Sequence, residues 1–162
     1  GLDNGDTNSN AGQKVATDNN NFFRFKLDGQ DWEATEMQSL ASKPQANALW
    51  NYQLYATNDA GASMTIAVQK FDFSKIAAGT YKMEANSIYS LSLQFNDGSK
   101  NWGATFEDAS IKNEITITSV DAGSTKTAGN FELLLRQVAA TTPDSIFITA
   151  GAFSTNNYGE VQ

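Results

Sequence analysis

From Phe22 onward, apolar and polar residues alternate in short runs along the chain. Phe23, Phe25 and Leu27 fall on one side of the first run, with Arg24 and Lys26 on the other. Trp50, Tyr52 and Leu54 alternate with Asn51 and Gln53, and Met64, Ile66 and Val68 with Thr65 and Ala67. The cleanest case sets Tyr89, Leu91, Leu93 and Phe95 against Ser90, Ser92 and Gln94. Ile115 and Ile117, then Phe131, Leu133 and Leu135, then Ile146 and Ile148 continue the pattern. Successive side chains of a strand point to opposite faces, so a period of two is what an antiparallel sheet with one wet face requires.

The joints between runs are turn chemistry: Asp28-Gly29, "NDAG" at 58–61, "NDGS" at 96–99, "DAGS" at 121–124 and "TTPD" at 141–144. Two stretches break the rhythm. "SLASKPQANA" (39–48) is polar and contains a proline, and reads as a loop; "DFSKIAAGTY" (72–81) predicts a helical turn over Ser74 to Ala78, stopped by Gly79. About eight to ten short strands with no amphipathic helix predict an all-β fold, an antiparallel β-sandwich. The alternative is a closed up-and-down, lipocalin-like barrel, which would have to set the Phe23 strand beside the Ile146 strand.

The expected domain runs from residue 22 to 158. Ahead of it, residues 1–21 hold only Leu2 and Val15 as large apolar side chains, which predicts a flexible polar tether spanning on the order of 25 Å. Within it, "DNGDTN" (3–8) has the acidity of a calcium loop but lacks the later bidentate Glu and the flanking helices.

Composition narrows the chemistry. The 162 residues carry 11 Lys and Arg against 18 Asp and Glu, a net charge of −7 that disfavours phosphate-rich partners, so nucleic acid is not expected. Cys and His are both absent, which removes disulfides, thiolate nucleophiles, Cys/His zinc sites and His-based triads from this chain. No cofactor or metal site is expected.

Three segments, in this order, carry a resemblance: "FRFKLDGQDWEA" (23–34), "MTIAVQKFDFSKIAAGTYKM" (64–83) and "NEITITSVDAGSTKTAGNFELLLRQVAATTPDSIFITAGAFST" (113–155). Together they resemble an uncharacterised family of Bacteroidetes cell-envelope lipoproteins, over about residues 22 to 155. The resemblance implies a small secreted β domain, lipid-anchored to the outer membrane through an N-terminal Cys. That Cys and the signal peptide are not in this sequence, which opens on Gly1 and is read as a processed form. The resemblance implies no catalytic residue.

Candidate chemistry then rests on side chains alone. Gly79, Gly129 and Gly151 each precede an aromatic by two positions, Tyr81, Phe131 and Phe153; the structural reading is a turn or bulge leading into a strand. Aromatic residues make up 11% of the chain. Tyr55 falls out of phase with the inward set of its strand, Trp102 follows a turn, and Tyr158 sits in a polar tail. Exposed Trp and Tyr rings stack on the C–H faces of sugars while Asn, Asp and Gln read hydroxyls, so the candidate ligand-binding residues are Trp102, Tyr55, Asn51, Gln53, Asn101 and Asp97. Trp32 and Trp50 are expected in the core.

Three functions follow as expectations: a non-catalytic envelope domain binding extracellular glycan, an assembly partner of a larger envelope protein, and a carboxylate-based glycoside hydrolase. The last would draw on Glu107-Asp108, Asp28, Asp31, Glu33 and Asp72. Ser74-Lys75 and Ser99-Lys100 are neighbours in sequence with no motif around them to make a dyad.

Overall fold

The computed structural model describes residues 10–85, 87–104, 113–141 and 144–162. Among these the chain is all-β. Its strands are β1 (Val15–Ala16), β2 (Phe22–Leu27), β3 (Gln30–Glu33), β4 (Glu36–Ser42), β5 (Asn51–Thr57), β6 (Ser63–Lys70), β7 (Gly79–Lys82), β8 (Tyr89–Asn96), β9 (Asn101–Gly103), β10 (Glu114–Asp121), β11 (Lys126–Gln137), β12 (Ser145–Thr155) and β13 (Gly159–Val161).

All 13 belong to one sheet, in the order β1-β4-β5-β6-β8-β9-β11-β12-β2-β3, with β10 added to β11, β7 to β10 and β13 to β4. Every pairing is antiparallel except that of β13 with β4. The expected facing layers are therefore opposite walls of one curled sheet. β12 lies beside β2, with Phe153 opposite Phe23, which is the neighbour relation the barrel alternative needs.

The curl returns on itself at Ala34 and Thr35, between β3 and β4. Ala34 N–H donates to Phe23 O beside β2 (2.9 Å), and Thr35 N–H donates to Thr57 O beside β5 (2.7 Å). Successive N–H groups of a strand point to opposite sides. The bend between β3 and β4 thus bonds to β2 near one end of the strand order and to β5 near the other.

The core fills the space between the walls. Phe23, Phe25, Phe95, Phe131, Phe153 and Trp32 form a connected set of rings, Phe25 stacked on Trp32 at 4.6 Å between centroids. Burying each such side chain stabilises the fold by roughly 1.5–3 kcal/mol, and favourable ring geometry adds to that. Trp32 and Trp50 are in the core, as expected.

The Asp28-Gly29 turn has both central residues at positive φ, 47° and 85°, so β2 and β3 form the tight hairpin the dipeptide predicts. The turns at 58–61, 96–99 and 121–124 are also in place; the one at 141–144 lies partly outside the described residues.

Four expectations need correction. Residues 10–21 are not a free tether: β1 pairs with β4, Gly12 N–H donates to Asn157 O (2.7 Å), and Asn157 Nδ2 donates to Asn10 O and Gln13 O (2.9 Å each). Residues 1–9, with "DNGDTN", lie outside the described part. Tyr158 is no surface aromatic of a polar tail, since it is 1% exposed and packs on Tyr52, and the fold continues past it into β13.

The loop expected at 39–48 begins only after Ser42. β4 was hidden because its inward set is Met37, Ser39 and Ala41, while the large apolar Leu40 faces out. No helical turn covers 74–78 either. Asp72 accepts from the Ser74 N–H (3.0 Å) and hydroxyl (2.6 Å), and Phe73 takes a φ of 66°, so a side-chain cap shapes this segment.

Candidate functional site

Register across β4, β5, β6 and β8 decides which outward side chains meet. Four rows of cross-strand neighbours result: Ser42–Asn51–Gln69–Ser90, Leu40–Gln53–Ala67–Ser92, Gln38–Tyr55–Thr65–Gln94, and Glu36–Thr57–Ser63–Asn96. Their inward counterparts, such as Tyr52, Leu54, Ile66 and Val68, are fully buried, so the alternation alone places these sixteen on the outer face.

Only Glu36 among the sixteen is charged. The rest are amides, hydroxyls, Ala67, Leu40 and the Tyr55 ring. At one end, the loop after β4 rises beside the first row, held by Lys43 N–H donating to Val161 O (2.9 Å). There Pro44, Ala48 and Leu49 wall a shallow hollow of about 430 Å³ whose floor includes Ser42, Asn51, Gln69 and Ser90.

The expected binding residues divide on this frame. Asn51, Gln53 and Tyr55 share the face, each half-buried, and Asn51 Nδ2 donates to Gln53 Oε1 (3.4 Å). Asn101 extends the fourth row as the partner of Asn96, whose Nδ2 donates to its Oδ1 (2.8 Å).

Trp102 and Asp97 do not join them. Trp102 stands opposite Phe95, which points inward, and is 7% exposed. Its indole N–H donates to Asp97 Oδ2 (3.1 Å). The other Asp97 oxygen accepts from the N–H groups of Ser99 (2.8 Å) and Lys100 (2.7 Å). Those contacts, that of Lys100 first, hold the carboxyl below the usual carboxylate range. The pair builds the hairpin between β8 and β9. It offers no exposed ring.

The remaining face residues were not singled out from sequence. Gln38, Gln69, Thr65, Ser90, Ser92 and Gln94 occupy the polar half of the alternation, and the register needed to bring them together is a tertiary property. Gln38 is partly engaged, its Nε2 donating to Gly12 O (2.9 Å).

The candidate acids have local work. Asp28 Oδ1 accepts from Phe147 N–H (2.8 Å), and Asp72 caps Ser74. Asp31 pairs with Lys26 (3.3 Å) and Glu33 stands opposite Arg24. Glu107 and Asp108 lie outside the described residues. Lys75 turns from Ser74 to Glu160 (2.8 Å) and the Trp50 ring (5.1 Å). Among the described residues no three acidic side chains gather in a way that would hold a metal ion.

Gly129 and Gly151 sit within strands and lie opposite Phe153 and Phe131, so their sequence spacing reports packing. An apolar hollow of about 620 Å³ opens where β8 parts from β7, lined by Phe71, Met83, Tyr89, Leu91 and others. β8 pairs with β9 only over Gln94–Asn96, which leaves Tyr89 and Leu91 half-buried despite their inward phase.

Comparison with family models, curated proteins and solved structures finds no match to this chain.

Proposed function

We propose that this is a non-catalytic cell-envelope domain whose β4–β5–β6–β8 outer face binds an extracellular glycan. The observation that carries the reading is the register that gathers fourteen other uncharged side chains and one charge, Glu36, around Tyr55. Amides and hydroxyls donate and accept at once, which suits sugar hydroxyls, and a tyrosine ring supplies an apolar surface for a sugar's C–H face. Isothermal titration against a panel of plant, fungal and bacterial polysaccharides tests this. Tyr55→Ala is expected to weaken the observed binding about tenfold or more, equivalent to about 1.4 kcal/mol. A panel with no binder removes the glycan reading.

The envelope placement rests on the resemblance to Bacteroidetes lipoproteins. It predicts that the native protein partitions into detergent with the outer membrane, and recovery in the aqueous phase alone would count against it.

A second reading, assembly with a larger envelope protein, draws on three exposed apolar side chains at one corner. Phe71 is 51%, Phe73 52% and Ile88 70% exposed, and Phe71 N–H donates to Ile88 O (2.9 Å). Cross-linking in intact envelopes separates the readings: a stoichiometric adduct that Phe71→Ser and Ile88→Ser abolish favours assembly.

A further inference from the structure

We infer that the ligand of the outer face is a linear, neutral oligosaccharide lying across the strands along the row Ser42–Asn51–Gln69–Ser90. The inference rests on the glycan reading and adds charge class, length and path to it.

Charge class follows from what the face lacks. An anionic polysaccharide needs Lys or Arg to offset removal of its carboxylates or sulfates from water. None of the sixteen face positions is cationic, the one charge is Glu36, and the whole chain carries −7. An acidic chain would be repelled at long range and unpartnered on contact.

The path follows from relief. Beside the first row Pro44, Ala48 and Leu49 wall the hollow of about 430 Å³. Its floor crosses the strands from Ser42 on β4 and Asn51 on β5 to Gln69 on β6 and Ser90 on β8, widening there to take in Ala67 and Ser92 of the second row. Strands are spaced about 4.8 Å apart, so four of them offer a track of roughly 14 Å. That length accommodates several linked rings and is wasted on one.

Polar order along the track supports the same path. Hydroxyl, amide, amide and hydroxyl follow one another from Ser42 to Ser90, each on a different strand and therefore fixed in spacing by the backbone ladder. Donors set on strands hold their relative positions better than donors on loops. Asn51 and Gln53, already joined by a hydrogen bond, link this row to the next and lead toward Tyr55.

The test uses the full chain and four classes of probe: oligosaccharides of laminarin, mannan, xylan and inulin as neutral chains, their monosaccharides, polygalacturonate oligosaccharides, and alginate oligosaccharides. Titration calorimetry is expected to show a neutral chain whose affinity rises with length, with the two acidic series at least about tenfold weaker. Gln69→Ala is expected to lower affinity for the neutral chain about tenfold, in line with one or two lost hydrogen bonds. Gln69→Glu, equal in shape, should do the same, and thermal melts confirm that both variants are folded.

Acidic chains bound as tightly as neutral ones, or affinity independent of length, would overturn the inference on the unmodified protein. Binding lost in Tyr55→Ala but unchanged in both folded Gln69 variants would overturn the path while leaving the glycan reading standing. No binding to any probe removes both.

Discussion

The ring of Phe131 lies over the bare Cα of Gly151 on the neighbouring strand. A Cβ placed at Gly151 would stand 2.4 Å from Phe131 Cδ2, and one placed at Gly129 would stand 2.7 Å from Phe153 Cζ. The antiparallel register pairs Gly129 with Phe153 and Phe131 with Gly151, so each strand supplies the glycine that the other's ring covers. Such aromatic-on-glycine pairs let two large rings enter a sheet interior without displacing its backbone.

The two glycines differ in what they touch, and this makes a prediction. The three atoms nearest a Cβ at Gly151 all belong to the Phe131 ring, whereas a Cβ at Gly129 would also meet the backbone oxygen of Thr116 at 2.2 Å. Gly151→Ala is expected to cost about 1–3 kcal/mol in urea unfolding, partly relieved when combined with Phe131→Leu. Gly129→Ala should cost more, and Phe153→Leu should leave much of the loss in place because the backbone contact remains.

A second prediction concerns the chain ends. A Cβ at Gly159 would stand 2.6–2.7 Å from backbone atoms of Ala11 and Gly12, where residues 10–13 pass against the C-terminal segment. Gly159→Ala should unclasp this arm. Hydrogen exchange is expected to speed up at the Gly12 amide, which donates to Asn157 O, and at Thr17, which donates to Thr35 O, while Ile66 and Leu133 stay protected.

Trp102 supplies a third, because its position separates hairpin stability from binding. Trp102→Phe removes the indole hydrogen bond to Asp97 and is expected to lower stability by about 1 kcal/mol while leaving glycan affinity unchanged. A drop in affinity equal to that of Tyr55→Ala would return Trp102 to the site.

Acid should unfold the protein partly through its turn aspartates. Backbone and side-chain donors hold the carboxyls of Asp18, Asp72, Asp97 and Asp121 below the usual range: chiefly the Asn20 N–H, the Ser74 hydroxyl, the Lys100 N–H and the Ser124 hydroxyl. A carboxylate with a lowered folded pKa contributes stability above its unfolded pKa of about 3.9 and loses it as pH falls toward the folded value. Asp97→Asn is therefore expected to have a lower urea midpoint than the unmodified protein at pH 6. The difference should shrink as pH falls below about 4.

The extent of what could be read in advance has a physical limit. The period of two in Tyr52, Leu54, Ile66 and Val68 named the inward side of each strand, because alternation is a property of a single extended backbone. Asp28-Gly29 announced its hairpin because positive φ at two successive residues is a local demand. The same logic failed for β4, where Ser39 is buried and Leu40 faces out, and it failed for Trp102, whose phase is set by pairing with Phe95.

An all-β chain of short strands without Cys or His, acidic and turn-punctuated, was thus determined by the sequence alone. Only the tertiary structure decided that the strands form one curled sheet, that Tyr158 and residues 10–17 belong to the body, and that Asn51 meets Gln69 and Tyr55 meets Thr65. Each of those outcomes depends on register between strands far apart in the chain. Register is fixed by how whole faces pack, as when Phe131 finds Gly151.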